Sequence, residues 1–289
     1  MTVPPPANTG QRLSLTAVVP VKNEARNLPA CLASITVAAQ VLVVDSRSTD
    51  ATAAIAAAAG ARVIDFDWAG GFPKKRNWML RTHAFETDWV LFLDADERLT
   101  PAFERELETA LGRADRVGYW LNYHNHFMGR VLRHGVPQRK LALFRVGAGF
   151  YERIEDPGWS ALDMEVHEHP ILEGPVGEIS APIEHEDFRG LRHFIARHNE
   201  YSSWEAGRYV ALVSDSQAWA GLTSRQRGKY KNLSHWWFAP MYFLYTYVWK
   251  GGALDGAPGL VYAFMKFIYF AEVYLKIMEL KSATVLQKF

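Results

Sequence analysis

The sequence predicts an α/β fold, a mostly parallel sheet with helices on both faces, followed by a helical, aromatic-rich C-terminal region. Three observations predict it. Short apolar runs recur at 14–21, 41–45, 62–66 and 89–93, and continuous apolar strands belong to parallel sheets covered on both faces. Segments of helical composition fall between them, most clearly Ala51–Ala59 closed by Gly60. From about residue 188 the pattern is helical to the end. The chain accordingly divides into a polar, Pro-rich N-terminal tail (1–11), an α/β domain (12–187) and a C-terminal helical region (188–289).

The elements follow in order. SLTAVVPV (14–21) is a buried strand stopped near Pro20, and Asn23-Glu24 opens a helix through Cys31 and Ile35. VLVVD (41–45) is the second strand, and Ser46 to Asp50 form a capping turn before the alanine helix. Arg62–Phe66 is the third strand. After Gly70-Gly71-Phe72-Pro73, a helix begins with Lys74-Lys75-Arg76-Asn77. WVLFL (89–93) is the fourth strand and ends at Asp94-Ala95-Asp96-Glu97. Thr100-Pro101 starts the helix Ala102–Leu111. Gly118–Asn122 and Lys140–Arg145 are strands flanking a loop rich in His and Arg, and 160–187 hold two turns rich in Gly and Pro.

Bulk properties exclude several classes. The net charge of +1 argues against a nucleic-acid binder held by phosphate contacts. A single cysteine, Cys31, excludes an intrachain disulfide framework and a cysteine-built zinc site, and its apolar setting marks it as a core thiol. Met1 to Gly10 lack a basic start followed by an apolar run, so they do not read as a signal peptide, and the cytoplasm is the expected location.

In open α/β sheets ligands sit beyond the carboxyl ends of the strands, where Asp45 and Asp94 both fall. Asp94 and Asp96, two residues apart past a strand, can hold Mg²⁺ or Mn²⁺, which would neutralise the diphosphate of a nucleotide sugar. A turn or a cap for the next helix is the competing reading. Asp45 either accepts hydrogen bonds from a nucleotide's base or ribose or caps the alanine helix. Lys74, Lys75 and Arg76 at a helix start suit phosphate, or form a solvated face. Arg139, Lys140 and Arg145 are candidate acceptor or phosphate contacts, with surface charge the alternative.

Val18 to Glu24 (VVPVKNE), VLVVDSRSTD, KKRNW and LFLDADE, in this order, resemble the family 2 inverting glycosyltransferases of GT-A fold, a Rossmann-like architecture. LALFRVG (141–147), EVHEH (165–169), GPVGEI (174–179), IEHEDFR (183–189) and Gly252 to Gly256 extend the likeness towards the branch of lipopolysaccharide-core β-glucosyltransferases. Ser46 departs from the pattern, since many members carry a second Asp there. The resemblance implies donor contacts at Pro20, Lys22, Asn23, Glu24, Asp45, Lys75, Arg76, Asp94 and Ala95, and a metal at Asp94 and Asp96. It also implies a general base late in the domain. Glu168 is the choice, with Glu186 and Asp187 as fallbacks. His185 either completes the metal shell or touches the diphosphate.

His124 with His126 and His167 with His169 form two HxH pairs, which on a strand point to one side. Convergence of three or four would make zinc and a hydrolase the alternative; polar loop histidines near an anionic substrate are the simpler reading. In the C-terminal region, His235–Lys250 is apolar but broken by Pro240, and Gly259–Leu280 is interrupted by Lys266, Glu272, Lys276 and Glu279. Neither reads as a lipid-exposed span. Trp and Tyr favour the membrane interface, and Arg225, Arg227, Lys229 and Lys231 suit anionic lipid; packing on the catalytic domain or a second subunit competes. The expectation is an inverting, metal-dependent transferase. It moves a hexose, glucose from a UDP donor, to a lipid-linked saccharide of the bacterial envelope, and lies peripherally on the inner face of the cytoplasmic membrane. A homo-oligomer is compatible. A non-catalytic nucleotide-sugar-binding scaffold is a further alternative.

Overall fold

The computed structural model describes residues 12–155, 157–159, 163, 169–186 and 189–286. The chain separates into two compact units. The first takes in Met1–Asn125, Pro137–Glu155 and Asp163–Asp187, and the second His126–Val136, Asp156–Leu162 and Phe188–Phe289.

The first unit is built on β1 (Leu13–Val21), β2 (Ala38–Asp45), β3 (Arg62–Asp65) and β4 (Trp89–Phe92), interleaved with α1 (Leu28–Ser34), α2 (Thr52–Ala58) and α3 (Lys75–Thr82). These strands are parallel in the order β3-β2-β1-β4. Leu15, Ala17, Val18 and Val19 of β1 are buried, as are Leu42 to Val44 and Val90 to Phe92. That double-sided burial is what continuous apolar runs require. The helix expected from Asn23 starts at Leu28 instead. Asn23 takes a left-handed φ of 56°, and its side-chain oxygen accepts the Thr49 N–H at 2.8 Å. The residue is spent on lacing the β1 loop to the β2 loop rather than on capping.

β5 (Glu97–Arg98) follows at once, then α4 (Pro101–Leu111), β6 (Gly118–Phe127), β7 (Arg130–Leu132), β8 (Arg139–Arg145), β9 (Gly149–Tyr151), β10 (Pro170–Leu172) and β11 (Val176–His185). β8 is antiparallel to β4 and β6, β11 is parallel to β6, and β5 closes antiparallel on β11. Thr100 caps α4, accepting the Phe103 N–H at 3.1 Å. Where the sequence suggests only turns before 187, the long strand β11 forms. Its register shifts between Ile179 and Pro182, which lets a strand accommodate a residue without an N–H. β6 and β7 are joined by Met128 and Gly129, both at positive φ (51° and 76°), the backbone of a two-residue hairpin turn.

The second unit contains α5 (Leu191–Ser214), α6 (Ser216–Gly221), α7 (Ser224–Leu233), α8 (Phe238–Leu244), a π-helical turn (Tyr245–Trp249), a 3₁₀ turn (Gly252–Asp255) and α9 (Gly256–Leu286). Leu212 of α5, Leu233 of α7 and Val273 and Ile277 of α9 make its core. Among the described residues no helix is long and apolar enough to cross a membrane.

Candidate active site

Parallel register places Val21 opposite Asp45, so the carboxyl ends of β1 and β2 lie side by side. Asp45 is buried, and its carboxylate accepts the Ser48 N–H and hydroxyl. It therefore shapes the turn after β2. The β1 loop is tied to this turn. The Asn23 N–H reaches the Ser48 hydroxyl and the Glu24 N–H reaches the Thr52 hydroxyl, each at 2.8 Å. Pro20 is buried and Lys22 exposed at the rim of the same edge.

Lys74, Lys75 and Arg76 are not a solvated face; all three are buried. Lys75 donates to the Val21 carbonyl at 2.8 Å and pairs with Asp163 at 3.3 Å. Burial lowers its pKa, and Asp163 opposes that. Lys75 thus buttresses the end of β1. Arg76 reaches Asp94 Oδ1 at 2.6 Å. Asn77 exchanges two 3.1 Å hydrogen bonds with the backbone of Tyr151, pinning β9.

Asp94 is the hub of a charged cluster. Antiparallel register opposes Leu91 to Leu143 and carries Lys140, three residues earlier on β8, to the outgoing end of β4. The Lys140 ammonium donates to Asp94 Oδ2 and, at 2.9 Å, to Glu97 Oε1. Glu97 Oε2 in turn accepts the Asp94 N–H at 2.9 Å. Burial works against the Asp94 carboxylate, yet Lys140 and Arg76 outweigh it and hold its pKa down at about 2. Glu97 is more deeply buried, and burial raises its pKa despite Lys140.

Asp96 has a different neighbour. His185, at the end of β11, presents Nε2 at 3.7 Å from Asp96 Oδ1. Its Nδ1 lies 2.9 Å from the Asn125 amide oxygen. Asn125 takes the Nδ1 side of the ring, so Nε2 is the nitrogen that faces Asp96. Burial lowers the His185 pKa, but Asp96 outweighs it and the net shift is upward. Ala95 is buried between the two acids.

Among the described residues no three His, Cys, Asp or Glu side chains stand together as metal ligands, so the HxH pairs build no closed zinc site there. His124 bonds to Glu184 at 3.0 Å instead. A hard cation such as Mg²⁺ needs only one or two protein carboxylates when substrate phosphates complete its shell. Asp96 with His185 fits that demand, whereas both oxygens of Asp94 already face cationic side chains. With Thr100 capping α4, the acids are also not needed as that helix's cap.

Arg139 pairs with Glu178 at 2.8 Å, over the Trp120 ring. Arg145 stands apart from the cluster, since its register partner is Trp89 at the incoming end of β4. There it donates to the Arg116 carbonyl at 3.0 Å and lies over the Trp89 ring. Its expected contact with phosphate or acceptor gives way to this local anchoring. Glu168 and Asp187 lie outside the described residues, while Glu186 pairs with Arg98 at 2.5 Å.

The sequence model of glycosyl transferase family 2 matches residues 16–164, more than half of the chain. The chain belongs to glycosyl transferase family 2. This family 2 glycosyltransferase is 27% identical over 272 residues to a lipopolysaccharide core biosynthesis glycosyltransferase, LpsC of Rhizobium meliloti, covering 88% of this chain and 90% of that one. It is 24% identical over 276 residues to an uncharacterized glycosyltransferase of Rickettsia felis, covering 93% and 92%. The mannosyltransferase PcManGT of Pyrobaculum calidifontis, solved with GDP-Man and Mn²⁺, aligns with 92% of this chain and 87% of its own at 16% identity and a TM-score of 0.53. That likeness is one of fold, and the expected GT-A architecture is borne out. Glucosyl-3-phosphoglycerate synthase of Mycobacterium tuberculosis matches over only 40% of this chain and 44% of its own, with a TM-score of 0.32.

Sequence reasoning about this family 2 enzyme missed Glu97 and Tyr123. Glu97 is visible in LFLDADE but looks like an exposed acid until β5 pairs with β11 and buries it. Burial, with Glu97 and Asp94 nearby, raises the Tyr123 hydroxyl well above its ordinary pKa. No sequence pattern announces a single tyrosine of this kind.

Proposed function

We propose that this glycosyltransferase moves a hexose, glucose from a UDP donor, with inversion to a lipid-linked saccharide acceptor of the bacterial envelope. Its place would be the inner face of the cytoplasmic membrane. The observation that carries the reading is the pairing of Asp96 with His185, beside the Arg76–Asp94–Lys140 cluster at the outgoing edge of the sheet. The name of the Rhizobium relative supports the choice of acceptor class.

Asp96 and His185 would hold the Mg²⁺ or Mn²⁺, which when bound neutralises the diphosphate and the charge that grows on it as it leaves. Arg76 and Lys140 hold Asp94 ionised and fixed, and Asp94 and Asp45 are then the acceptors for nucleotide hydroxyl and base groups. Glu168 is proposed as the base. It takes the proton of the acceptor hydroxyl as that oxygen bonds to the anomeric carbon and the bond to the diphosphate oxygen breaks.

The test is a panel of nucleotide sugars with Mg²⁺ or Mn²⁺, read as nucleoside diphosphate release and then as transfer to a lipid extract. The expected result is metal-dependent release from one donor, abolished in Asp96→Ala with the circular dichroism spectrum retained. Normal turnover by that variant would remove Asp96 from the metal site, and release from no donor would overturn the reading.

A further inference from the structure

In the second unit, α9 turns Glu272 and Lys276 inward and shows apolar side chains outward. On α9, Glu272 accepts from the Ser202 hydroxyl at 3.0 Å, and Lys276 donates to the Asn199 carbonyl at 2.9 Å and to the hydroxyls of Ser202 and Ser203. Glu272 and Lys276 therefore pack on α5. Leu260, Phe264, Leu275 and Met278 of the same helix are exposed. At roughly 100° per residue they share a sector of about 60°.

The sharper case is α8 and the π-helical turn that continues it. Met241, Leu244, Tyr245, Val248 and Trp249 recur at i, i+3, i+4, i+7 and i+8, the spacing of a buried helix face. Yet they are 53%, 49%, 43%, 64% and 82% exposed. The opposite side holds the buried Ala239 and Thr246. Trp236 before the stripe and Leu254 after it are exposed as well. An apolar patch of this kind marks an interaction surface.

Charge identifies the partner. Between Lys231 and Glu272 the only acidic residue is Asp255. Asp255 is occupied, accepting the backbone N–H groups of Arg133 and His134 and bonding His134 Nδ1. Exposed Arg225, Arg227 and Lys231 precede the stripe, and exposed Lys250 follows it, over the Tyr245 ring. A two-fold contact with a second copy would set this cationic rim against itself. Trp and Tyr beside basic residues, with no acid between Lys231 and Lys250, match the interface of an anionic leaflet.

We propose that the Met241–Trp249 face inserts into the head-group layer of an anionic lipid surface, with the basic residues of α7 against the phosphates. The chain would then lie in the leaflet without crossing it. This deepens the reading of a lipid-linked acceptor and rests on it for its purpose, because that surface is the one that carries such an acceptor.

The full chain is mixed with phosphatidylethanolamine–phosphatidylglycerol vesicles, or with phosphatidylcholine vesicles, and sedimented. Binding to the anionic vesicles is expected, with quenching of Trp fluorescence by brominated lipid. Val248→Ser/Trp249→Ser should lower the partition coefficient about tenfold or more. Arg225→Gln/Arg227→Gln should lower it by about fivefold per charge on anionic vesicles only. Unchanged partition of the Val248/Trp249 variant would overturn the proposal. So would a wild-type dimer, seen by light scattering, that this variant converts to monomer while neither form binds vesicles. Donor hydrolysis without vesicles is read separately: its failure counts against the transferase, while loss of partition with hydrolysis retained concerns the lipid face alone.

Discussion

Replacing Lys140 by Met tests the charged cluster most directly. Lys140 is about a quarter exposed, bonds Glu97 at 2.9 Å and also bonds Asp94, while Arg76 holds the other Asp94 oxygen. At an effective dielectric of about 20, a contact of that length is worth about 6 kcal/mol before the desolvation of the ammonium is subtracted. Removing one partner of a buried pair costs about 3–5 kcal/mol. Arg76 still serves Asp94, so the loss falls mainly on Glu97, and about 2–4 kcal/mol of stability should disappear. Glu97 then has less reason to stay ionised, and its pKa rises further. A carboxyl whose folded pKa lies above its unfolded value binds more protons in the native state, so stability falls as pH rises through that interval. The variant should thus recover stability as pH falls from neutral towards the ordinary glutamate range, and Lys140→Met/Glu97→Gln should restore most of the loss at pH 7. Urea unfolding, followed by circular dichroism and tryptophan fluorescence together, measures all three. A loss below about 0.5 kcal/mol, the size of a surface substitution, would refute the reasoning.

Three other outcomes are expected. Glu168→Gln should lower turnover at least a hundredfold with little change in donor affinity measured by calorimetry; an unchanged rate moves the base elsewhere. Lys266, half-buried over the rings of Tyr262 and Tyr269, is lowered by burial to a pKa of about 8. Because its folded pKa lies below its unfolded one, stability should rise between about pH 8 and pH 10.5. Lys266→Met should remove that slope and add about 1–2 kcal/mol at pH 7, the shift being discounted for partial exposure; a melting temperature below wild type at pH 7 contradicts it. A Cβ on Gly259 would lie 2.1 Å from the Gly252 carbonyl oxygen, a backbone atom that cannot step aside. Gly259→Ala should therefore destabilise the second unit by about 2 kcal/mol or more, read as an earlier thermal transition, and a wild-type melt would exclude the close approach.

The parallel half of the sheet was legible because each strand there announces itself by continuous apolar residues, and Asp45 and Asp94 follow as strand-end acids. The antiparallel half was less so. β11 carries Gly177, Pro182 and several polar residues, and its burial alternates irregularly, so neither period nor composition marks it. Burial of Lys74 to Arg76 was illegible for a related reason. A basic triplet at a helix start reads as solvated unless one knows that Asp94, Asp163 and the Val21 carbonyl converge on it from distant parts of the chain. The outward stripe of α8 is periodic in the sequence, but periodicity reports only that a face exists. Which way it points depends on what the opposite side packs against, here beginning with Ala239 and Thr246.

The two acids of Asp94-Ala95-Asp96 illustrate how tertiary structure assigns unlike roles to like residues. Their spacing alone would have them share one cation. The sheet order breaks that equivalence: β8, antiparallel to β4, delivers an ammonium to Asp94, while β11, two strands further on, delivers an imidazole to Asp96. An ammonium competes with a metal ion for a carboxylate, whereas an imidazole that gives up its proton on metal binding becomes a ligand itself. The motif is therefore asymmetric before any ligand arrives. Asp94 is kept ionised by Lys140 and Arg76, while Asp96 faces His185, and Asp96 with His185 is the pair we propose for the cation.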